Sequence, residues 1–209
     1  MLAGDNALPV IASAITSGTL TIQNGTLDGI GLVPFRFLAL ANNANLSLVN
    51  VRLNNGSAQL AGFGAGGAVF VSDNAVLSVN SSSFTNNASL LDAGAIFVDG
   101  NGVISNITGS SFLNNSATLT GGAIAFGRLL VIAGNGTINS IDSTTFDNNV
   151  AIGVGGAISM TVGANAIGTI SNSTFSNNHS SANGGAIAVA IATASLNQIY
   201  NSTFSGMVR

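Results

Sequence analysis

The sequence predicts an all-β protein built as a parallel β-helix, a solenoid of about seven coils with three short strands in each. The first observation is a unit in which Phe-x-Asn-Asn is followed by Gly-Gly-Ala-Ile, as between Phe146 and Ile158. Phe and Ile stand twelve residues apart in this unit and in the three related units that begin at Phe84, Phe112 and Phe175. Because the spacing is constant while the sequence between varies, it indicates a repeated turn of backbone.

The second observation extends the repeat over most of the chain. The anchor position recurs seven times, at Leu27, Leu53, Phe84, Phe112, Phe146, Phe175 and Phe204. An aliphatic residue stands five positions before each anchor: Ile22, Leu48, Val79, Ile107, Ile141, Ile170 and Ile199. The anchors are 26 to 34 residues apart, a period typical of stacked coils. We therefore expect one β-helix domain over residues 1–209, with degenerate coils in 1–63 and regular coils in 64–205.

Each coil is predicted to contain three strands. The first is Gly-Ala-Ile-x-Val, whose alternation places Ile96 and Val98 on the same side. The second ends at the aliphatic residue before the anchor, and the third carries the anchor and ends at Asn-Asn. Abundant Gly, Asn, Ser, Thr and β-branched residues disfavour helix throughout the chain.

Stacking places equivalent residues of successive coils above one another, at a strand spacing of about 4.8 Å. The interior ladder is predicted to be aromatic and contains Phe84, Phe112, Phe146, Phe175 and Phe204. Asparagine tolerates the left-handed backbone of tight bends, and its amide can bond to a neighbouring coil. The second Asn of each pair forms the other predicted structural ladder: Asn87, Asn115, Asn149 and Asn178. Paired glycines mark a sharp bend or a close backbone approach.

Composition excludes several classes of protein. Charged residues make up 5% of the 209 residues, and the chain has no Lys, Glu or Cys. A net charge of -3 with four scattered arginines disfavours nucleic acid as a partner. The longest apolar stretch, residues 184–196, is shorter than the roughly 20 residues that span a bilayer, so no spanning segment is expected. No basic segment of a secretion signal is visible at the N-terminus.

The pairing of Gly-Gly-Ala-Ile with Phe-x-x-Asn resembles the repeat of the polymorphic outer membrane proteins, which are autotransported bacterial surface proteins. The resemblance covers roughly residues 64 to 205. It is carried by residues 121–124, 155–158 and 184–187, paired with 84–87, 112–115, 146–149 and 175–178. The resemblance implies a right-handed β-helix, a surface or adhesive role and no catalytic residues. The two earliest coils depart from the pattern, because they lack both motifs.

Alternation along the first strand predicts an uncharged outer face that could bind a partner. If Ile and the residue two positions later point inward, the residues before and after Ile point outward. This possible interaction face consists of Phe70, Phe97, Ala95, Ala123, Ala157 and Ala186. Exposed apolar patches commonly mark interaction surfaces. Alternatively, the N-terminal segment or the longest loop candidate, residues 127–136, folds over this face.

The chain offers few groups for chemistry. Asp73, Asp99 and Arg128 occupy matching places in consecutive coils, so a polysaccharide-acting enzyme or a carbohydrate-binding β-helix is the alternative function. Glycosidases need two carboxylates in one cleft, however, and Asp99 stands in a turn-forming sequence. His179 has no evident partner ligands and is predicted to be an exposed turn residue. We expect no catalytic residues, no cofactor and no metal ion.

The ends of the predicted solenoid suggest a partner. Terminal coils expose strand edges and core, and no amphipathic or charged cover for either end is evident in this sequence. Stacking end to end with copies of the chain is therefore expected, and a host or matrix surface ligand is a further possible partner. The leading hypothesis is a non-enzymatic, extracellular or cell-surface protein with a structural or adhesive role. It would be a β-helical stalk, an autotransporter passenger or a filament subunit.

Overall fold

The structure is a computed structural model and describes residues 11–12, 18–30, 34–59, 64–72, 74–127 and 134–208. The regular elements within these ranges are β-strands. In chain order they are Ile11–Ala12 (β1), Leu20–Asp28 (β2), Leu38–Ala41 (β3), Asn45–Asn54 (β4), Ser57–Ala58 (β5), Val69–Val71 (β6), Val76–Asn80 (β7), Ser83–Thr85 (β8), Ala88–Ser89 (β9), Ile96–Val98 (β10), Val103–Thr108 (β11), Ser111–Leu113 (β12), Ser116–Ala117 (β13), Ile124–Phe126 (β14), Thr137–Asp142 (β15), Thr145–Asp147 (β16), Val150–Ala151 (β17), Ile158–Met160 (β18), Ala166–Ser171 (β19), Thr174–Ser176 (β20), His179–Ser180 (β21), Ile187–Val189 (β22), Ser195–Tyr200 (β23) and Thr203–Ser205 (β24).

The strands form three parallel sheets that wind as a solenoid. The front sheet has the order β1-β3-β6-β10-β14-β18-β22, and the short sheet has the order β21-β17-β13-β9-β5. The twelve-stranded long sheet begins with β2 and β4, and its later turns contribute one strand to each of two arms. The seven strands of the front sheet span about six turns, close to the seven coils predicted. The prediction of an all-β parallel solenoid is confirmed.

The register between turns places like residues above one another. In the long sheet Phe112 pairs with both Phe84 and Phe146, and Ile104 pairs with Ile138. These side chains are fully buried in the hydrophobic core between the sheets. Burying an aliphatic or aromatic side chain of this size contributes about 1.5–3 kcal/mol to stability. Repetition of apolar rows therefore stabilises the solenoid without charged contacts.

Two of the bends in each regular turn, one between the arms of the long sheet and one after its second arm, use left-handed backbone. Between the arms of the long sheet, φ lies between 47° and 56° at Ser81, Gly109, Ser143, Asn172 and Asn201. After the second arm, φ lies between 52° and 55° at the first Asn of each pair: Asn86, Asn114, Asn148 and Asn177. Asparagine adopts this conformation more readily than most residues. The second bend leads into the short sheet, which the sequence analysis missed because its strands have two residues each.

The two glycines of Gly-Gly-Ala-Ile have different roles. The first has a left-handed φ, which is 63° at Gly121 and 72° at Gly155. The second lies where backbones meet: a methyl group at Gly122 would overlap the carbonyl oxygen of Gly156 and approach the Val150 nitrogen to 2.5 Å. A residue with a Cβ therefore does not fit at the second position. The first position is less strict, since Ala93 occupies it with a φ of 57°.

The early part of the chain continues the same sheets. Strand β2 pairs with β4 along its whole length, and β4 pairs with both β7 and β8. The front sheet likewise runs from β1 through β3 to β6. The described residues before residue 60 are thus coils of the same solenoid, although they lack the motifs of the later turns.

The close approach at the second glycine generates a stability test. We expect Gly122→Ala to destabilise the protein by about 1–3 kcal/mol or more, because the added methyl group forces stacked backbones apart. Gly25→Ala is the matched control, since its nearest atom would be an ordinary 3.9 Å away. Urea unfolding followed by circular dichroism measures both variants. Equal unfolding midpoints for the two variants would contradict the packing argument.

Candidate functional site

The aromatic ladder is the most regular feature of the core. Consecutive rings from Phe84 to Phe204 lie parallel, with interplanar angles of 2° to 5° and centroids 4.6 to 4.8 Å apart. The first four rings are fully buried, whereas Phe204 is 42% exposed at the last turn. The ring spacing equals the spacing of adjacent strands, about 4.8 Å, so equivalent rings of successive turns stack in one row. The ladder holds neighbouring turns in one register.

The asparagine ladder satisfies polar groups inside the bend. The Asn149 Oδ1 accepts hydrogen bonds from the Asn115 backbone N–H at 3.1 Å and from the Asn115 Nδ2 at 3.0 Å. The Asn149 Nδ2 donates to the Phe112 carbonyl at 3.0 Å and to the Asn178 Oδ1 at 2.9 Å. Asn87, Asn115, Asn149 and Asn178 are all fully buried. Each carboxamide thus links one turn to the turns before and after it.

The face predicted to be exposed is covered in the structure. Phe97, Ala95, Ala123 and Ala157 have no exposed surface, Ala186 is 6% exposed, and Phe70 is half-buried. The expectation that these side chains form an open surface is therefore wrong, for two different reasons.

The alanines face the core because the front strands begin one residue later than alternation assumes. Ala95, for example, precedes β10 and lies in the bend, so its methyl group packs in the main core. Phe97 does point to the outer side of the sheet, where it packs with Ala65, Ala93 and Ala125. The preceding bend covers it: a methyl group at Gly66 would lie 3.0 Å from the Phe97 Cβ. In the described residues the cover comes from the bends of the same turn and of the preceding turn. The two alternatives, the N-terminal segment and the loop at residues 127–136, lie largely outside the described residues.

A buried arginine, Arg36, lies at the Phe70 end of this outer cluster. The Arg36 guanidinium lies over the Phe70 ring, 4.9 Å from its centroid, and donates hydrogen bonds to the carbonyl oxygens of Ala65 and Gly66. Phe70 in turn packs against Phe97 with ring centroids 5.5 Å apart. A cation over an aromatic face contributes about 0.5–2 kcal/mol. Arg36 thus stabilises the packing of Phe70 against the bend at Ala65 and Gly66.

Two of the described turns match the model of a known repeat family. Residues 143–161 and 172–190 match the model of the Chlamydia polymorphic membrane protein repeat. These two segments of the chain are polymorphic membrane protein repeats by this match. Each matched segment runs from the anchor strand through the Asn-Asn bend and the Gly-Gly bend into the front strand. Comparison with the curated proteins found no match, and comparison with the solved structures found none either.

In the matched segments, the residues of the polymorphic membrane protein repeat all have structural roles. Phe146 and Ile158 fill the core, and Asn149 takes part in the hydrogen bonds of the bend. Gly155 and Gly156 permit close backbone contacts. A functional surface must consequently be sought among residues between the motifs.

The candidates for catalysis are dispersed or lie outside the described residues. Asp73 and Arg128 fall outside the described ranges. The Asp99 carboxylate accepts a hydrogen bond from the Gly100 backbone N–H at 2.9 Å, as a turn residue does. His179 begins the short strand β21 and is partly buried, so its prediction as an exposed turn residue is wrong. Within the described ranges, no group of three or more His, Cys, Asp or Glu could hold a metal ion.

Two aspartates tie adjacent turns together on the outer side of the long sheet. The Asp142 carboxylate accepts hydrogen bonds from the Ser171 hydroxyl at 2.6 Å, the Asn172 amide at 2.7 Å and the Ser143 hydroxyl at 2.9 Å. These bonds hold the pKa of Asp142 below its ordinary value of 3.8, and the bond from Ser171 lowers it most. Asp147 accepts hydrogen bonds from Ser176 and Asn177 in the same manner.

A lateral apolar surface is the feature that the sequence analysis missed. Val150 and Ile152 follow the Asn-Asn bend and are 38% and 61% exposed. Beside them lies a groove of about 330 Å³, lined by Leu119, Thr120, Gly153, Val154, Thr161 and Ala190. We call Val150, Ile152 and the groove the lateral patch. No motif marks it, because it forms only when segments of three turns come together. In the part of the chain that the structure describes, no helix is long and apolar enough to cross a membrane.

The position of a ring in the aromatic ladder should decide the cost of removing it. We expect Phe146→Ala to destabilise the protein by about 3–5 kcal/mol, because it leaves a cavity between two stacked rings. Phe204→Ala removes the same atoms from the half-exposed end and should cost clearly less. Denaturant unfolding of both variants measures the difference. Similar losses would show that stacking inside the ladder adds little.

The asparagine ladder generates a second stability test. Asn149→Ala leaves the Asn115 N–H and the Phe112 carbonyl without their partner, and a buried unsatisfied polar group costs about 1–3 kcal/mol. We therefore expect a loss of several kcal/mol in unfolding free energy. Asn139→Ala, at an exposed position of β15, is the control and should stay within about 0.5 kcal/mol of wild type. Unchanged stability of Asn149→Ala would refute the role of the ladder.

Asp142 should make stability depend on pH in the acid range. Its pKa is lower in the folded chain than in the unfolded chain, so the ionised carboxylate stabilises the fold above pH 3.8. This contribution should disappear as the pH falls from 3.8 through the lowered pKa of the folded state. Urea midpoints measured between pH 5 and pH 2 should therefore fall less steeply for Asp142→Asn than for wild type. Parallel curves would contradict the assignment.

Proposed function

We propose that this chain is a non-enzymatic, extracellular structural or adhesive protein, a β-solenoid rod that serves as a stalk or passenger at a cell surface. The observation that carries the proposal is the match of two turns to the polymorphic membrane protein repeat. The name of that repeat assigns it to membrane proteins, and the proposal places this solenoid on the outside of such a membrane.

The distribution of polar groups supports a structural role. Buried polar side chains such as Asn115, Asn149 and Thr144 bond to neighbouring turns. Enzymes that cleave polysaccharides with paired carboxylates need those groups in one cleft. Asp142 and Asp147, by contrast, bond to serine and asparagine side chains of the next turn. Such carboxylates are engaged in holding turns together.

The lateral patch supports an adhesive role. Val150 and Ile152 are exposed in the middle of the rod, where most large apolar side chains are buried. The groove beside them can admit an apolar group, and the buried Thr161 hydroxyl at its edge has no hydrogen-bond partner. Exposed apolar surface beside a recess is typical of interaction sites. We place the contact with a host or matrix ligand here.

Surface proteolysis of intact cells that produce the chain tests the location. An added protease should remove the chain from intact cells, as detected with an antiserum against the folded rod. A cytosolic marker in the same cells should stay intact. A chain that resists the protease until the cells are lysed would overturn the surface location.

Adhesion is tested separately with beads that carry the purified rod. Wild-type beads should bind to host cells or matrix, and Ile152→Asp should reduce the bound fraction at least several-fold. Asn139→Asp is the matched control, because it adds the same charge at an exposed position away from the patch. Equal loss with both variants would indicate a general charge effect and contradict adhesion through the patch.

A further inference from the structure

An asparagine in the middle of the rod has an amide group that the fold leaves unused. Asn114 is the first residue of an Asn-Asn pair and lies in the bend after β12, where its φ is 55°. Its backbone N–H donates to the Asp147 carbonyl at 3.1 Å. Its side chain is exposed, and the carboxamide has no hydrogen-bond partner among the described residues. The Asn114 Nδ2 is therefore free to react with a molecule outside the chain.

Asn114 also begins an Asn-x-Ser triplet, Asn114-Asn115-Ser116. Asn115 is fully buried in the asparagine ladder, whereas Ser116 is exposed at the start of β13. The first and third side chains thus lie on the outer side of the bend. The Ser116 hydroxyl likewise has no partner within the described ranges. An exposed Asn-x-Ser/Thr triplet is the acceptor pattern of N-linked glycosylation.

Burial separates Asn114 from most other triplets of this type in the folded chain. Asn87 and Asn178 begin two of them and are fully buried in the ladder. In a further group the third residue is buried or half-buried, and these triplets begin at Asn45, Asn55, Asn80, Asn106, Asn135 and Asn172. A transferase that must reach both ends of a triplet therefore has poor access to these positions.

Two other triplets have both ends exposed. The Asn201 Nδ2 donates a hydrogen bond to the Asn172 side chain, so this nitrogen is engaged. Asn24 lies on β2, and residues outside the described ranges closely precede that strand. Asn114, by contrast, lies between described turns, since β12 pairs with both β8 and β16. Exposure and a free amide therefore coincide at Asn114 inside the rod.

The outer edge of this bend has space for a bulky polar group. The equivalent residues of the two neighbouring turns, Asn86 and Asn148, are both exposed. Because the side chains directly before and after Asn114 in this row reach solvent, no segment within the described ranges covers the row. A sugar attached at Asn114 would project into water without displacing a neighbouring turn.

We propose that Asn114 is the acceptor of an N-linked sugar. The co-substrate is a sugar activated at its anomeric carbon by a diphosphate, and a glycosyltransferase of the producing cell brings the two together. A bond forms between the Asn114 Nδ2 and the anomeric carbon, and the bond from that carbon to the diphosphate oxygen breaks. The diphosphate leaves with the electron pair, and the amide nitrogen gives up one proton. This inference goes beyond the proposed surface role and does not depend on it.

Mass spectrometry of the full chain, purified from cells that produce it, tests the site. After denaturation a chymotryptic digest separates Asn114 from Asn87 and Asn178, because phenylalanines lie between them. The Asn114 peptide should carry a sugar, and the peptides with the two buried asparagines should carry none. A single hexose indicates a sugar nucleotide as donor, an oligosaccharide added as a block indicates a lipid-linked donor, and either increment supports the proposal. An Asn114 peptide without sugar, or sugar on the buried asparagines, would overturn it.

Ser116→Ala tests the triplet while it keeps the Asn114 nitrogen. The sugar should disappear, and the circular dichroism spectrum should stay that of the wild type, because the exposed hydroxyl has no partner in the described chain. Ser181→Ala is the matched control, since it removes an exposed hydroxyl outside any triplet and should leave the sugar in place. Equal modification of Ser116→Ala and wild type would contradict the assignment.

The next turn tests the role of the free amide. Val150→Ser completes an Asn-x-Ser triplet at Asn148, which is exposed but whose Nδ2 donates to Asp147 at 2.8 Å. The single variant should carry little sugar on Asn148, and Val150→Ser/Asp147→Ala should carry several-fold more. Equal occupancy in these two variants, or none in either, would contradict selection by exposure and a free amide. Surface proteolysis depends on none of these results, so failure of this inference and failure of the proposed function are distinguishable.

Discussion

Stacking of backbone on backbone is the constraint on which the rest of this structure depends. Successive turns lie one strand spacing apart, about 4.8 Å, and each residue is forced against its equivalent in the next turn. Flat rings satisfy this condition, and the centroids of the phenylalanine ladder are 4.6 to 4.8 Å apart. The buried asparagines satisfy it in another way, since each amide both donates to and accepts from its equivalents. Residues of the same type at equivalent positions of successive turns are therefore a geometric requirement of the fold.

The same constraint accounts for the unusual composition. Charged side chains stacked every turn would repel one another, whereas amides and hydroxyls can bond along the row. Asp142 shows how a charge is tolerated, because the equivalent residue of the next turn is a serine that donates to its carboxylate. A chain with 5% charged residues can consequently form a stable solenoid. Stability comes from buried apolar rows and backbone ladders, and the surface is left largely neutral.

A functional surface must then be formed by residues that the stacking of the turns does not require. The motif residues build the core and the bends, and the bends of the same and neighbouring turns cover the outer side of the front sheet. Among the described residues, the lateral patch around Ile152 is an apolar surface that stays open beside the stacked turns.

The sequence by itself determined the repeat, the strands of the front and long sheets and the two ladders, because stacking requires the same type of residue at equivalent positions of successive turns. Phe146 and Asn149 could be assigned from spacing alone for this reason. Only the tertiary structure decided which surfaces are open. Ala123 was expected to be exposed and is buried, since the strand begins after it; Phe97 points outward and is still covered by a bend. Alternation records the side of a strand on which a residue lies. It carries no information about which other segment folds over that side, because the cover is built from residues of neighbouring turns.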